Sequence, residues 1–189
     1  MKLKFDHFGI LAPFYERFIP PRVPEKILEL LRLSGNEIVL DAGGGTGRLA
    51  QFLSSRAALI VVADESTLML REAGTKDGLK PVCSFTEHTP FASDTFDRIM
   101  MVDALHHVAN QAKTTAELWR ILKPGGRLII EEPNIHSVRV KFIALAEKLA
   151  LMRSHFLSGP EIQLLYNQPG AQIQVQTDGP TVWVIVDKS

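Results

Sequence analysis

Four closely spaced glycines behind an acidic residue form the stretch of this sequence that most suggests chemistry. Residues 39–50 read VLDAGGGTGRLA; the acid is Asp41, and the glycines are Gly43, Gly44, Gly45 and Gly47. Glycine weakens helices and strands, but it permits positive φ and lets the backbone approach a ligand closely. An apolar run precedes the glycines and a helical pattern follows, so backbone N–H groups would meet a ligand at a helix N-terminus. The stretch predicts a ligand-binding loop, with a purely structural turn as the alternative.

The spacing of the glycines indicates which ligands the loop suits. Dinucleotide-binding loops have the pattern G-x-G-x-x-G, and P-loops have the pattern G-x-x-x-x-G-K-[ST]. This chain has G-x-G-x-G at positions 43, 45 and 47, and no Lys follows. The spacing excludes a P-loop, fits the NAD pattern poorly and favours a ligand without phosphate.

A second acid, Asp64, ends the next apolar run, about twenty residues beyond the loop. An acidic side chain at that place can accept hydrogen bonds from both ribose hydroxyls of an adenosine. A strand-end Asp is also a common helix cap, and here it could serve the helix that Ser66 opens. Both interpretations remain open.

The composition indicates an ordinary globular protein and disfavours several kinds of partner and site. The chain has 189 residues, 46% hydrophobic and 22% charged, which is typical of one globular domain. The 21 Lys and Arg residues equal the 21 Asp and Glu residues, so we expect no nucleic-acid partner. The single Cys83 excludes an internal disulfide, and no stretch approaches the ~20 apolar residues of a membrane span; we expect a cytoplasmic protein. The six histidines lack ligand spacing such as H-x-x-x-H, so we expect no metal site.

Predicted strands and helices alternate from residue 37 onwards, and these elements must position the residues named above. Apolar runs predict five parallel strands, at residues 37–42, 58–64, 80–84, 96–102 and 126–132. Helical patterns lie between them, at residues 46–55, 66–74 and 113–122. KPGG at 123–126 ends the last helix, because Pro124 cannot continue it and the glycines allow positive φ.

The C-terminal part departs from this alternation. Runs at 171–177 and 181–187 are separated by three residues, whereas parallel neighbours need a crossover of about a dozen or more. These two runs therefore predict an antiparallel hairpin. The fold predicted is an α/β, Rossmann-like, doubly wound seven-stranded mixed sheet with an antiparallel C-terminal hairpin. Glu131, Glu132 and Asn134 would face its cleft, with at most one of the two glutamates serving the site directly.

Two further segments flank the alternating core. Residues 21–33 predict an amphipathic helix, and the insert 136–167 predicts one long helix and a shorter one. Upstream lies an aromatic cluster, which is either ordinary core or a lid over a pocket: Phe5, Phe8, Phe14, Tyr15 and Phe18.

Four stretches, in this order, resemble the class I S-adenosylmethionine-dependent methyltransferases: VLDAGGGTGRLA, VVADESTLML, PFASDTFDRIMMVDALHHV and ELWRILKPGGRLIIEEPN. The chain looks most like the methyltransferase type 11 group, which includes quinone-biosynthesis C-methyltransferases. The resemblance runs from about residue 36 to 134. It implies S-adenosylmethionine as cofactor, S-adenosylhomocysteine as product and a small-molecule acceptor. We expect an apolar or aromatic acceptor, in a pocket formed by the aromatic cluster and the insert 136–167.

The resemblance also implies an organisation of the chain. One methyltransferase domain would cover residues 1–189, with an N-terminal lid and helix at 1–35 and a cofactor-binding core at 36–134. A helical insert at 135–170 and the hairpin at 171–189 would complete it.

Cofactor-binding roles carry over by position. Asp41 and the loop from Gly43 to Gly47 would hold the methionine end, and Asp64 would bind the ribose hydroxyls. Further positions that match are Glu65 and Met69, beside the adenine, and Asp103, near the methionine part and the transferring methyl. For Asp103 a simple capping role is the alternative.

One position departs from the family pattern. The family often has Gly-Asp-Ala after the third strand, and its acid hydrogen-bonds the adenine amino group; here that position is Phe85. Adenine recognition is left to the backbone near Thr86, to Glu87, or to stacking on Phe85.

The transfer itself is an in-line displacement at an activated carbon, so the enzyme chiefly aligns the reactants. A general base helps only when the acceptor must lose a proton, and His titrates near neutrality. We therefore name His107, and less firmly His106, as catalytic or substrate-contacting residues. Two other functions stay open: a non-catalytic S-adenosylmethionine-binding module and an NAD(P)-dependent oxidoreductase. The loop spacing and the lack of a Tyr-x-x-x-Lys pair disfavour the oxidoreductase.

Overall fold

Every apolar run predicted as a strand forms one. The structure, a computed structural model, describes residues 24–137 and 154–189. Its strands are β1 (Ile38–Ala42), β2 (Leu59–Asp64), β3 (Leu79–Cys83), β4 (Phe96–Val102), β5 (Leu122–Pro133), β6 (Ala171–Asp178) and β7 (Thr181–Lys188). They form one sheet in the order β3-β2-β1-β4-β5-β7-β6.

The strand directions confirm the mixed sheet. β1 to β5 pair in parallel, whereas β7 is antiparallel to both of its neighbours, β5 and β6. Because β7 lies between β5 and β6, it alone runs against the other strands. The predicted fold class is confirmed.

The described helices are α1 (Glu25–Leu31), α2 (Thr67–Ala73), α3 (Gln111–Ile121) and α4 (Gly159–Leu164). Short 3-10 helices span Ala50–Leu53 and Leu105–His107. The prediction of a helix over 46–55 is wrong: turns precede the short 3-10 helix. Gly47 has φ +70°, and its N–H donates to the carbonyl of Gly44 at 2.9 Å, so the chain is not helical there.

Successive strand residues feed two hydrophobic layers, one on each face of the sheet. In β4, Met101 packs in the layer that contains α3 and α4, and Met100 packs in the layer that contains α1 and α2. Helices thus cover both faces, which explains why the strands are apolar throughout.

Some predictions lie outside the described residues. The aromatic cluster between Phe5 and Phe18 and the long helix of the insert belong to this group. The shorter helix of the insert is confirmed as α4, which begins with a capping box between Ser158 and Glu161.

Candidate functional site

A cleft of about 460 Å³ opens where the glycine loop and the carboxyl ends of β2, β3 and β4 meet. Ligands of open α/β sheets bind in such a place. Most of the predicted site residues line it: Asp41, Gly43, Gly44, Gly45, Asp64, Glu65, Met69, Phe85, Thr86, Glu87, Asp103 and His107. Gly47, His106, Glu131, Glu132 and Asn134 are not part of the lining. The tertiary structure therefore brings together residues from four separate segments of the chain.

Backbone hydrogen bonds attach the glycine loop to the end of β2. The N–H groups of Gly43 and Gly44 donate to the carbonyl of Ala63 at 2.8 and 3.2 Å. A Cβ at Gly44 would lie 2.5 Å from Oδ2 of Asp41, so the loop tolerates no side chain there.

Gly45 has a different role within the same loop. Its φ of +55° is one that L side chains rarely adopt, and a Cβ would lie 4.0 Å from both Asp64 Oδ2 and Met69 Sδ. Both of these residues line the cleft, so a larger side chain at position 45 would extend into the space that a ligand needs.

Gly47 lies outside the cleft. A Cβ there would be 2.6 Å from Cδ1 of Leu79 and 3.5 Å from Cβ of Ala73. Because Gly47 has no side chain, the loop can pack on α2 and β3. The spacing of the glycines does not distinguish this structural role from contact with a ligand.

Asp64 joins the loop to the following helix. Its Oδ2 accepts from the N–H of Gly45 at 2.9 Å, and its Oδ1 accepts from the N–H of Ser66 at 2.8 Å. Ser66 Oγ in turn caps α2 by accepting from the N–H of Met69 at 3.3 Å. The two interpretations of Asp64 are compatible, because each carboxylate oxygen has two acceptor sites.

Asp41 is buried at the base of the loop. Burial and the neighbouring Asp64 raise its pKa to about 7, while Arg48 acts in the opposite direction. Asp41 therefore keeps its proton at pH values where an ordinary Asp is ionised. A cationic ligand beside it would favour release of that proton.

Asp103 follows β4 in a left-handed conformation, with φ +50°. Arg48 Nη2 lies 3.9 Å from Asp103 Oδ2. Glu131 lies near both: burial and Asp103 raise its pKa to about 7, and Arg48 opposes the rise. Sequence reasoning missed Arg48, although its position one residue after the last loop glycine is a signal that could have found it.

The opposite wall of the cleft comes from the segment after β3. Phe85 is 58% exposed at the mouth. Thr86 is buried, with Oγ1 at 3.1 Å from Oγ1 of Thr114. Glu87 Oε1 accepts from the backbone N–H groups of Ala109 and Asn110 at 3.0 and 3.1 Å, so this carboxylate also fixes the loop before α3.

The two adjacent histidines occupy different environments. His106 is buried outside the cleft lining, its Nδ1 lies 2.5 Å from Glu132 Oε2, and its ring stacks on Phe156. Glu132 also accepts from the N–H groups of Ala104 and Leu105 at 3.1 and 2.8 Å. Glu132 therefore fixes the turn after β4. It does not line the cleft, whereas the sequence analysis expected it to face the cleft.

His107 lines the cleft, and its Nδ1 lies 3.3 Å from Ser154 Oγ. Burial, and secondarily the charge of His106, lower its pKa to about 4. The expectation that it titrates near neutrality is therefore wrong; at pH 7 it is a neutral imidazole. Asn134 lies away from the cleft, where its Nδ2 donates to the carbonyl of Gly179 at 3.2 Å.

The described ranges, 24–137 and 154–189, contain no group of three or more His, Cys, Asp or Glu side chains that could hold a metal ion. None of their helices is long and apolar enough to cross a membrane.

The strand order, the reversed β7 and the cleft at the carboxyl ends of the strands define an α/β domain of the class I methyltransferase type. Residues 40–130 match the family described as methyltransferase domain. Over these residues the chain is similar to the class I S-adenosylmethionine-dependent methyltransferases.

Curated relatives agree with this assignment. The methyltransferase GfsG of Streptomyces halstedii is 32% identical over 119 residues, which are 59% of this chain and 43% of that protein. The ubiquinone/menaquinone biosynthesis C-methyltransferase UbiE of Haemophilus ducreyi is 35% identical over 104 residues, 50% of this chain and 40% of that protein. The chain thus spans less than half the length of these relatives.

Solved structures share the fold over nearly the whole chain. An S-adenosylmethionine-dependent methyltransferase of Thermotoga maritima has a TM-score of 0.78 at 22% identity, covering 96% of this chain and 98% of that one. The complex of DhpI with S-adenosylhomocysteine (SAH) has a TM-score of 0.73 at 18% identity, covering 97% and 94%. At these identities the likeness extends to the fold alone.

Proposed function

We propose that this chain binds S-adenosylmethionine in the 460 Å³ cleft and transfers its methyl group to a small-molecule acceptor. The observation that carries the proposal is the loop at Gly45, where positive φ and a missing side chain leave ligand space beside Asp64 and Met69. The match of residues 40–130 to the methyltransferase-domain family supports it.

The residues of the cleft suit the parts of this cofactor. Asp64 lies where ribose hydroxyls would donate to it, and Glu65 and Met69 continue the same wall. Phe85 offers an exposed ring on which an adenine could stack, in place of the acid that the family often has there. The acids Asp41 and Asp103 would attract the ammonium and sulfonium charges.

For methyl transfer, the protein chiefly has to align the acceptor with the methyl group. S-adenosylmethionine, when bound, would supply a methyl group that its sulfonium already activates for transfer to the acceptor. Turn residues after β4 would hold the acceptor in line. Neutral His107 would accept a hydrogen bond from the acceptor or donate one to it, since protonation near pH 4 makes it a weak base at pH 7.

The acceptor we propose is apolar or aromatic. Apolar side chains line the cleft beside His107: Met101, Val102, Ala104 and Val108. The names of relatives such as UbiE point to quinone biosynthesis, which supports an aromatic ring as acceptor. A cytoplasmic location, inferred from the single Cys83, belongs to the same proposal.

Two measurements test the proposal. Isothermal titration should detect binding of S-adenosylmethionine and SAH; no binding at millimolar concentration would reject it. A labelled methyl group should then pass to an aromatic acceptor in a metabolite extract. Binding without any transfer would favour the non-catalytic module instead.

A further inference from the structure

Residues 154–156, which we name the pre-α4 segment, pack on the turn after β4, residues 104–107. The N–H of His155 donates to the carbonyl of His106 at 2.8 Å. The Phe156 ring stacks on the His106 ring, with 4.4 Å between the two centroids. The pre-α4 segment therefore contacts His106 through both its backbone and its ring.

The pre-α4 segment also contacts a residue of the cleft wall. Ser154 Oγ lies 3.3 Å from Nδ1 of His107, which lines the cleft. Gln111, at the start of α3, joins the same parts of the chain, because its Nε2 donates to the carbonyls of Leu105 and His155 at 3.1 and 2.6 Å. The place of the His107 ring thus depends on a segment that is distant in sequence.

Glu132, near the end of β5, holds the same turn from the other side. Its Oε1 accepts from the N–H groups of Ala104 and Leu105, and its Oε2 contacts Nδ1 of His106. The side chains of His106 and Glu132 are only 4% and 3% exposed, so this contact is shielded from water. A buried pair of this kind is often no more stable than apolar side chains of similar size, so stability alone does not account for it.

We propose that Glu132 is a positioning residue for the acceptor side of the cleft. Through His106 it holds the turn and the pre-α4 segment in the arrangement that places the His107 ring at the cleft wall. This inference rests on the proposed function, which assigns the acceptor to the surroundings of His107. The glycine loop is held by separate hydrogen bonds to the end of β2. Loss of the Glu132 contacts should therefore disturb the acceptor side and leave cofactor binding nearly unchanged.

The experiment measures histidine titration and amide exchange by NMR, and SAH binding by isothermal titration. In Glu132→Gln an amide replaces the carboxylate, so the charge-assisted contact with His106 is lost. Amide hydrogen exchange at Leu105 and His155 should become about 10- to 100-fold faster, the range for one lost hydrogen bond to a charged group. Burial holds the pKa of His107 at about 4, and it should rise by about 1 or more as the ring becomes solvated. SAH affinity should change by less than about 3-fold.

Two substitutions of His106 separate position from charge. His106→Asn removes the ring charge but keeps an N–H donor for Glu132, so the pKa of His107 should rise less than in Glu132→Gln. His106→Phe keeps a ring on Phe156 but has no donor, so it should match Glu132→Gln. Glu25→Gln, at an exposed position outside the cleft, is the matched control and should change neither the pKa of His107 nor SAH affinity.

The outcomes separate the two proposals. If the wild-type protein binds no SAH, the proposed function fails, whatever the histidine resonances show. If Glu132→Gln leaves the pKa of His107 unchanged, or speeds amide exchange equally at Gly45 in the glycine loop, the positioning role is overturned. Should Glu132→Gln lack a cooperative melt, the two His106 variants decide the question. Equal rises in the pKa of His107 reject the role of the Glu132 contact, and a larger rise in His106→Phe supports it.

Discussion

The two ends of the cleft are held in place by different means. The loop end, with Asp41, Gly43–Gly47 and Asp64, is fixed by backbone hydrogen bonds and close packing. The Phe85 end, residues 85–88, is anchored by side-chain contacts of Thr86 and Glu87, and it presents the 58% exposed ring of Phe85 at the mouth of the cleft. Side chains at the loop end are therefore restricted by close packing, whereas the exposed ring of Phe85 has few packing restrictions. Substitutions should therefore cost more at the loop end.

The largest effect is expected for Gly45→Val. A β-branched side chain at φ +55° is strained, and it would extend toward Asp64 and Met69 in the cleft. We expect SAH affinity to fall on the order of 100-fold or more in titration. Gly179→Val is the matched control, since Gly179 has φ +54° in open space. An equal loss in both variants would mean that backbone strain, not the cleft, is responsible.

The next effect concerns the buried acid of the loop end. Asp41 has a pKa raised to about 7, so the folded protein keeps a proton that the unfolded chain releases near pH 4. The free energy of unfolding should therefore decrease as pH rises from about 4 to 7, by up to about 1.4 kcal/mol per pH unit. Urea unfolding should show that Asp41→Asn reduces this slope, while exposed Asp77→Asn leaves it unchanged. The same slope in the wild-type protein and both variants would refute the assignment of the raised pKa to Asp41.

A smaller loss is expected for Asp64→Asn. The amide keeps one acceptor oxygen, so it can satisfy the N–H of Gly45 or of Ser66 but not both. SAH affinity should drop about 10-fold in titration, with a lower melting temperature for the free protein. Asp77→Asn, the same change at an exposed position outside the cleft, provides the control. Unchanged affinity would leave Asp64 with a structural role alone.

The smallest effect should come from the Phe85 end. Replacing Phe85 by Ala removes an exposed ring that would stack on adenine, worth about 0.5–1.5 kcal/mol, so SAH affinity should fall by about 2- to 10-fold. Phe85→Tyr should retain affinity, and Leu164→Ala, at another exposed apolar position, should have no effect. A loss as large as that of Gly45→Val would contradict the contrast between the two ends.

The histidine pair illustrates what sequence reasoning could and could not predict. His106 and His107 are equivalent as letters, and both are candidates for acid-base chemistry. The 3-10 helix sends one ring to Glu132 in the core and the other to the cleft. Burial then lowers the pKa of His107 to about 4, a long-range effect that no local pattern contains.

The sequence by itself determined the seven strands, the antiparallel hairpin and the glycine loop, because hydrophobic runs, short connections and glycine act over a few neighbouring residues. Tertiary structure alone decided that Gly47 packs on Leu79, that the segment after Gly47 is not a helix, and that Arg48 lies among carboxyl groups from three strands. Those outcomes depend on which distant residues the sheet brings within a few ångströms of each other, and therefore on burial and charge that arise only when the chain is folded.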